Sequence, residues 1–207
     1  MDIGTYEAGF QDRADNRQIR GIAIVEKGII IAGSGGQGIL LFGRLIAYTL
    51  MLEGKNVTYF PAYGAEVRGG TANCTVILSD EFIGSPSVTN PDILVVFNRP
   101  SLDRFLSRLK KGGVLFYDSS LISDDDCSRT LQSVDAGLHV FRVPASAEAA
   151  RLGSIKYANM VMFGAFLKKA LASNISRAEK ALRALVSERH SALIPHNLEA
   201  IRAGYEF

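Results

Sequence analysis

The chain has 207 residues, of which 47% are hydrophobic and 21% charged, and its formal net charge is +2. This composition can bury a sizeable core, so it excludes a disordered chain, and the near-neutral charge argues against strong attraction to nucleic acid. Cys74 and Cys127 are the two cysteines, so the chain alone cannot supply four thiolates to an iron–sulfur cluster or build a disulfide framework.

The N-terminal segment, residues 1–20, is polar and mixed in charge, which predicts a flexible arm that orders on a partner. Residues 21–207 then read as one domain without a linker. The segment does not resemble a signal peptide, and no apolar run reaches about 18 residues. We therefore expect a cytoplasmic protein without a membrane span.

A glycine-rich turn follows the first strongly apolar segment. Residues 28–32 predict a strand buried on both faces, and helical spacing begins at Ile39. The residues between them form a G-x-G-x-x-G pattern, here called the glycine turn: Gly33, Ser34, Gly35, Gly36, Gln37 and Gly38. Backbone N–H groups at such a strand-to-helix turn can receive a phosphate or another anion. The Gln37 amide either contacts a ligand or pins the turn.

Strand and helix patterns alternate through the rest of the chain and then become purely helical. We predict strands at 57–60, 72–79, 82–83, 93–97, 114–117 and 138–143, and helices at 39–53, 101–109, 145–152, 158–172, 176–188 and 195–203. Ser176 and Glu179 fit a capping box. This order predicts a single α/β domain with a mostly parallel, Rossmann-like sheet, helices on both faces and a helical C-terminal end.

The glycine turn invites a dinucleotide-binding interpretation, which the second strand does not support. A nicotinamide site normally has an Asp or Glu at the end of that strand to hold the ribose hydroxyls. The sequence there is Tyr59-Phe60-Pro61, without a carboxylate. A self-contained oxidoreductase that binds NAD or FAD therefore stays as the alternative hypothesis.

A second candidate segment, residues 62–71, has no periodicity and follows the second strand. Its candidate binding residues are Tyr63, Glu66, Arg68, Gly69 and Gly70. Because ligands bind at the carboxyl edge of open α/β sheets, we expect this loop beside the glycine turn. Alternatively, Glu66 and Arg68 form a surface ion pair of little energetic weight.

The sequence contains no residue pattern that indicates nucleophilic catalysis or metal binding. His139, His190 and His196 read as structural or exposed residues, and Cys74 alternates with apolar neighbours as a core thiol would. Asp124, Asp125 and Asp126 either form a metal loop or, in better agreement with helix-dipole chemistry, begin a solvated helix. We predict no catalytic residue and no metal ligand in this chain.

Several motifs in order resemble one family. They are the glycine turn, Tyr63-Gly64-x-Glu66-x-Arg68-Gly69-Gly70, Ser85-Pro86, Asn90-Pro91-Asp92, Pro144-Ala145 with Ala149 and Leu152-Gly153, Ala158-Asn159-Met160-Val161, Gly164, and Asn197 with Ala200 and Gly204. Over residues 27–206 the chain resembles the gamma subunit of 2-oxoacid:ferredoxin oxidoreductases, with a loop similar to the 2-oxoglutarate and branched-chain branches. The arm at 1–20 departs from the family pattern.

The resemblance implies a role in a hetero-oligomeric enzyme that converts a 2-oxoacid, CoA and oxidised ferredoxin to acyl-CoA, CO2 and reduced ferredoxin. Thiamine diphosphate, Mg and the Fe-S clusters are then held by the alpha, beta and delta partner chains, and this chain is inactive alone. The glycine turn and the 62–71 loop face the partners, with a possible CoA contact. A stand-alone scaffold for protein association is the third hypothesis.

Overall fold

Six strands form one sheet within the part of the chain that the structure describes. The computed structural model describes residues 26–62, 71–132 and 137–207. The strands are β1 (Glu26–Ser34), β2 (Asn56–Ala62), β3 (Thr71–Ser79), β4 (Ile93–Val96), β5 (Val114–Asp118) and β6 (His139–Val143). The arm predicted at residues 1–20 lies outside the described residues, so the boundary at residue 21 stays a prediction.

The sheet has the order β2-β3-β1-β4-β5-β6, and every strand except β3 runs in the same direction. β3 is antiparallel to both of its neighbours, with Ser34 opposite Thr71 and Ala62 opposite Asn73. The mostly parallel sheet predicted from the sequence is confirmed. The second strand is not the neighbour of the first, however, because the β2–β3 hairpin inserts β3 between them.

Alternate side chains of β1 pack into two separate hydrophobic cores, one on each face of the sheet. Ile29 and Ile31 are fully buried on one face, against α1 (Ile39–Met51), α4 (Ala145–Arg151), α5 (Ala158–Phe166), α6 (Ile175–Leu185) and α7 (Ile194–Tyr205). Ile30 and Ala32 are buried on the other face, which α2 (Arg99–Phe105) and α3 (Asp124–Gln132) cover. Burial on both faces explains why β1 reads as a continuous apolar run.

The helical C-terminal end packs through a glycine-to-glycine crossing of α5 and α7. A Cβ at Gly164 would lie 2.0 Å from the carbonyl oxygen of Ile201, and one at Gly204 would lie 1.8 Å from that of Val161. The backbones of the two helices are thus in direct contact. Both glycines are required because any side chain at either position would overlap the opposite main chain.

Three local predictions need correction. Residues 82–83 form no strand, because the chain after β3 runs irregularly to β4 and Phe82 is 91% exposed. Helix α6 begins one residue earlier than predicted, and its N-cap is Asn174, whose side chain accepts a hydrogen bond from Arg177 N at 3.1 Å. The Ser176–Glu179 capping box is therefore wrong.

The helix predicted over 158–172 is not uniform. Its α-helical part ends at Phe166, a π-helical turn covers Leu167–Leu171, and Ala172 takes a left-handed conformation with φ 50°. Within the described ranges, no helix has the length and the apolar character that crossing a membrane requires.

Candidate functional site

The glycine turn lies where the sheet changes its winding direction. From β1 the chain crosses toward β2 at one edge, whereas β4, β5 and β6 follow one another toward the other edge. The carboxyl ends of β1 and β4 therefore flank a topological switch point, the usual ligand crevice of open α/β sheets. Asn98, just after β4, donates from Nδ2 to Ser34 Oγ at 2.6 Å and ties the two ends together.

The Gln37 side chain forms its hydrogen bonds with other residues of this chain. Its Oε1 accepts a hydrogen bond from Ser34 N at 2.6 Å, and its Nε2 donates to Phe97 O at 3.5 Å. Of the two hypotheses for Gln37, the structure supports the one in which the amide pins the turn. The pinned turn holds the start of α1 in a fixed position relative to β4.

The outer side of the glycine turn is open. A Cβ at Gly35 or Gly36 would meet no heavy atom within 4 Å, and Gly36 has a φ of +88°. The turn ends at Gly38, with φ 73°, where α1 begins without a side-chain cap and without an acidic residue in its first turn. The N–H groups at the start of this 13-residue helix, together with its dipole, give the turn a partial positive charge.

The second candidate loop joins strands that end at the same edge. β2 ends at Ala62, and β3 begins at Thr71, which pairs with Ser34 of the glycine turn. Tyr63, Glu66, Arg68, Gly69 and Gly70 lie outside the described residues, so their roles stay predictions. The ends of the segment that contains them are nevertheless fixed beside the turn.

The sheet order argues against a dinucleotide site. In that site the acidic residue follows the parallel strand next to β1. Here the neighbour on that side is antiparallel β3, and β2 is one strand further away. Tyr59 on β2 instead donates a hydrogen bond from its hydroxyl to Leu40 O at 3.3 Å, which fixes β2 against α1.

The three aspartates at 124–126 begin α3, as the helix-start hypothesis predicts. Asp126 N donates to Ser123 Oγ at 3.1 Å, and the carboxylate pairs with Arg99 at 2.7 Å. A hydrogen bond between the Ser123 side chain and the Asp126 carboxylate, together with the Arg99 charge, lowers the pKa of Asp126. Asp124 pairs with Arg142 at 2.5 Å. Among the described residues, no three His, Cys, Asp or Glu side chains are grouped as metal ligands.

The histidines have structural surroundings. His139 opens β6, His190 Nδ1 lies 3.1 Å from Ser187 Oγ, and His196 stacks on Tyr157 with 6.1 Å between ring centroids.

The two cysteines are buried on opposite faces of the sheet, Cys74 in the core that contains α1 and Cys127 in the core that contains α2. Burial raises the pKa of Cys74 to about 12 and that of Cys127 to about 11. Both are free thiols.

We expect neither thiol to react in the folded chain at pH 8. Only the thiolate attacks a disulfide reagent, and the raised pKa values reduce the thiolate fraction in addition to the steric protection by the core. Labelling with a chromogenic disulfide reagent should give no rapid reaction before denaturation and two thiols per chain in urea. One rapidly labelled thiol in the native chain would contradict this result.

Two asparagines complete the site although the sequence analysis assigned them no role there. Asn98 caps α2, accepting from Ser101 N at 2.9 Å, and also holds Ser34. Asn159 at the start of α5 donates from Nδ2 to Gly38 O at 3.3 Å. The order Asn98-Arg99-Pro100 after a strand is a helix-start signal, and it would have identified Asn98 as a cap from the sequence. The second asparagine stands in the Ala158-Asn159-Met160-Val161 motif, but no local signal indicates that it contacts the turn.

Comparisons with known proteins agree on one family. The model of the family described as pyruvate ferredoxin/flavodoxin oxidoreductase matches residues 28–207. The ketoisovalerate oxidoreductase subunit VorA of Methanothermobacter thermautotrophicus is 35% identical over 177 residues, which cover 86% of this chain and 35% of VorA. The chain thus spans about a third of the length of that relative.

Two solved structures share the fold. The gamma subunit of a keto/oxoacid ferredoxin oxidoreductase from Geobacter sulfurreducens is 27% identical, with a TM-score of 0.70 over 87% of this chain and 96% of that one. A chain of 2-oxoglutarate:ferredoxin oxidoreductase from Magnetococcus marinus, solved with 2-oxoglutarate, coenzyme A and succinyl-CoA, is 25% identical. Its TM-score is 0.75 over 88% of this chain and 31% of that one.

Proposed function

The chain belongs to the pyruvate ferredoxin/flavodoxin oxidoreductase family, and on this premise we propose that it is the gamma subunit of a 2-oxoacid:ferredoxin oxidoreductase. In this proposal it assembles with alpha, beta and delta chains, and the complex converts a 2-oxoacid, CoA and oxidised ferredoxin to acyl-CoA, CO2 and reduced ferredoxin. The similarity to nearly the whole Geobacter gamma subunit supports the assignment. Similarity to a ketoisovalerate and a 2-oxoglutarate enzyme supports a substrate of those classes.

The partner chains hold the redox cofactors in this proposal. Two cysteines on opposite faces of a sheet cannot together ligate an Fe-S cluster, and the described residues contain no group of three His, Cys, Asp or Glu side chains that could hold a metal ion. This chain therefore contributes surface rather than reactive groups. Its part in the reaction is to complete the assembly and to hold CoA.

The open glycine turn is the observation that carries the proposed CoA contact. Gly35 and Gly36 are exposed, and a helix N-terminus without a side-chain cap stands behind them. These features suit the phosphate groups of CoA, to which backbone N–H groups donate. Arg68, whose loop begins and ends at the same edge, supplies a charge-assisted bond. CoA is bound in the Magnetococcus enzyme, which supports this ligand.

Co-purification from the native host tests the assembly. A tagged chain is expected to bring down partner chains that contain thiamine diphosphate and Fe-S clusters, with 2-oxoacid-dependent reduction of ferredoxin. A lone homo-oligomer without that activity would refute the proposal.

Replacing Gly35 with alanine tests the contact at the turn. The added methyl group meets nothing in the folded chain, so the unfolding midpoint should not change. If phosphate lies against the turn, the methyl group blocks its approach, and the KM for CoA should rise about tenfold at nearly constant kcat. Gly84→Ala is the matched control, because a Cβ there also meets no heavy atom within 4 Å. Equal KM values in both variants would argue against the contact.

Arg68→Ala separates a ligand contact from a subunit interface. Intact assembly with a raised KM for CoA supports the ligand role, because a charge-assisted bond to phosphate has been removed. A complex that no longer assembles assigns the loop to the interface. Size-exclusion chromatography before the kinetic measurement distinguishes the two results.

A further inference from the structure

A buried asparagine lies directly behind the glycine turn. Asn159 is the second residue of α5, its side chain is only 4% exposed, and its Nδ2 donates to Gly38 O at 3.3 Å. The two residues are 121 positions apart in sequence. The bond therefore ties the start of α1 to the start of α5, on the side of the turn that faces the core.

Gly38 and Asn159 fit each other closely. A Cβ at Gly38 would lie 2.2 Å from Asn159 Nδ2 and 2.9 Å from its Cγ, so the amide occupies the space that a side chain at Gly38 would need. Gly38 also has a φ of +73°, which L-residues with a side chain rarely adopt. The amide thus contacts the one peptide of the turn that leads directly into the helix.

Asn159 is a polar residue in a buried position, and the backbone of the glycine turn does not need its hydrogen bond. Gly38 O already accepts the first helical bond, from Phe42 N at 3.0 Å, so it does not need a second donor. Asn159 Oδ1 is buried and has no hydrogen-bond partner among the described residues. A buried oxygen without a partner is unfavourable, and an apolar side chain of similar size would avoid that cost. The amide therefore has a use other than the stability of this chain.

We propose that Asn159 is a positioning residue for the glycine turn. By holding the Gly38 peptide, it orients the N–H groups of the first turn of α1 outward, toward the side on which Gly35 and Gly36 are open. This role rests on the proposed CoA function of the turn. It adds a buried residue of another helix to a site that otherwise consists of the turn itself.

The test uses the assembled complex with Asn159→Leu, which keeps the branching and the number of side-chain heavy atoms and removes the donor. Hydrogen exchange of the amides of residues 33–41 should become about tenfold faster, because the turn loses one of its restraints. The KM for CoA should rise about fivefold with kcat changed less than about twofold. Asn159→Ala, which removes the amide and adds no bulk, gives a second measurement if the leucine variant does not fold.

A matched control distinguishes positioning from general stability. Asn174→Ala removes an asparagine that caps a different helix, α6, and should change neither the exchange of residues 33–41 nor the KM for CoA. Unchanged exchange in both Asn159 variants would overturn the positioning role. Faster exchange with an unchanged KM for CoA would show that Asn159 restrains the turn and would refute the CoA contact of the turn. The two proposals can therefore fail separately.

Discussion

Gly204→Ala is expected to destabilise the folded chain by about 3 kcal/mol or more, since overpacking of a rigid contact costs this much. The new Cβ would lie 1.8 Å from Val161 O and 2.6 Å from Val161 C, both main-chain atoms of α5. Main-chain atoms within a helix cannot rotate away as the end of a side chain can. The helices α5 and α7 would have to separate, which opens the core that they share with α1 and β1.

Urea unfolding followed by circular dichroism measures the effect. Gly84→Ala provides the control, because the same substitution there meets nothing within 4 Å. Gly164→Ala should resemble Gly204→Ala, since its Cβ would lie 2.0 Å from Ile201 O. The double variant should lose less than the sum, because one separation of the helices relieves both overlaps. Equal urea midpoints of unfolding for Gly204→Ala and Gly84→Ala would contradict the close contact between α5 and α7.

Asp118→Ala is expected to lower the free energy of unfolding by about 3 kcal/mol, the range for a lost charged hydrogen bond that leaves buried donors unsatisfied. Asp118 ends β5 and is fully buried. Its Oδ2 accepts from Ser146 N at 3.1 Å and from Ser146 Oγ at 2.5 Å, and its Oδ1 accepts from Ser120 N at 3.0 Å. The carboxylate thereby caps α4, whose own N-cap, Pro144, has no side-chain cap bond.

Two comparison variants show which part of Asp118 matters. Ser146→Ala removes one of the bonds and leaves the backbone donor paired, so it should cost only about 1 kcal/mol. Asp125→Asn, at an exposed position on α3, should be nearly neutral. The measurement is again urea unfolding, with the slope checked for constancy. An Asp118→Ala loss no larger than that of Ser146→Ala would show that the carboxylate does not cap α4.

The sequence predicted the sheet where each strand has a strong apolar pattern. β1, β4 and β5 are buried on both faces, and their apolar runs mark them without reference to the rest of the chain. The direction of β3 carries no such mark, because alternation is the same in parallel and antiparallel strands. β2 and β3 could be joined either as an antiparallel hairpin or by a crossover to a parallel strand. The two arrangements differ in which strands pair, and strand pairing depends on contacts between residues distant in sequence.

Local chemistry also has competing solutions, as the start of α6 shows. Asn174 and Ser176 can both cap a helix, and the sequence alone favoured Ser176 because Glu179 completes the box. The chain is extended at Asn174, with φ −91° and ψ 155°, and this makes Asn174 the cap. Glu179 instead pairs with Arg183 at 2.7 Å on the helix surface.

The candidate site was predictable only in its contiguous part. The glycine turn is visible in six successive residues, but its supports are 64 and 121 positions away, at Asn98 and Asn159. Asn159 stands in the Ala158-Asn159-Met160-Val161 motif, within a helix that is buried throughout, so the motif marks the residue without indicating which part of the chain it contacts. Only the close approach of α5 to Gly38 shows its contact with the turn.

The position of β2 at the end of the sheet has a consequence for handling and synthesis of the chain. Within the described residues, β2 pairs only with β3, so its other edge presents main-chain groups to which a foreign strand can add. Phe60 on this strand is 58% exposed, which adds an adhesive apolar surface. Pro61 has no N–H and interrupts the ladder that an added strand needs. A chain produced on its own therefore has an exposed edge at which it can aggregate, and Pro61 reduces this tendency.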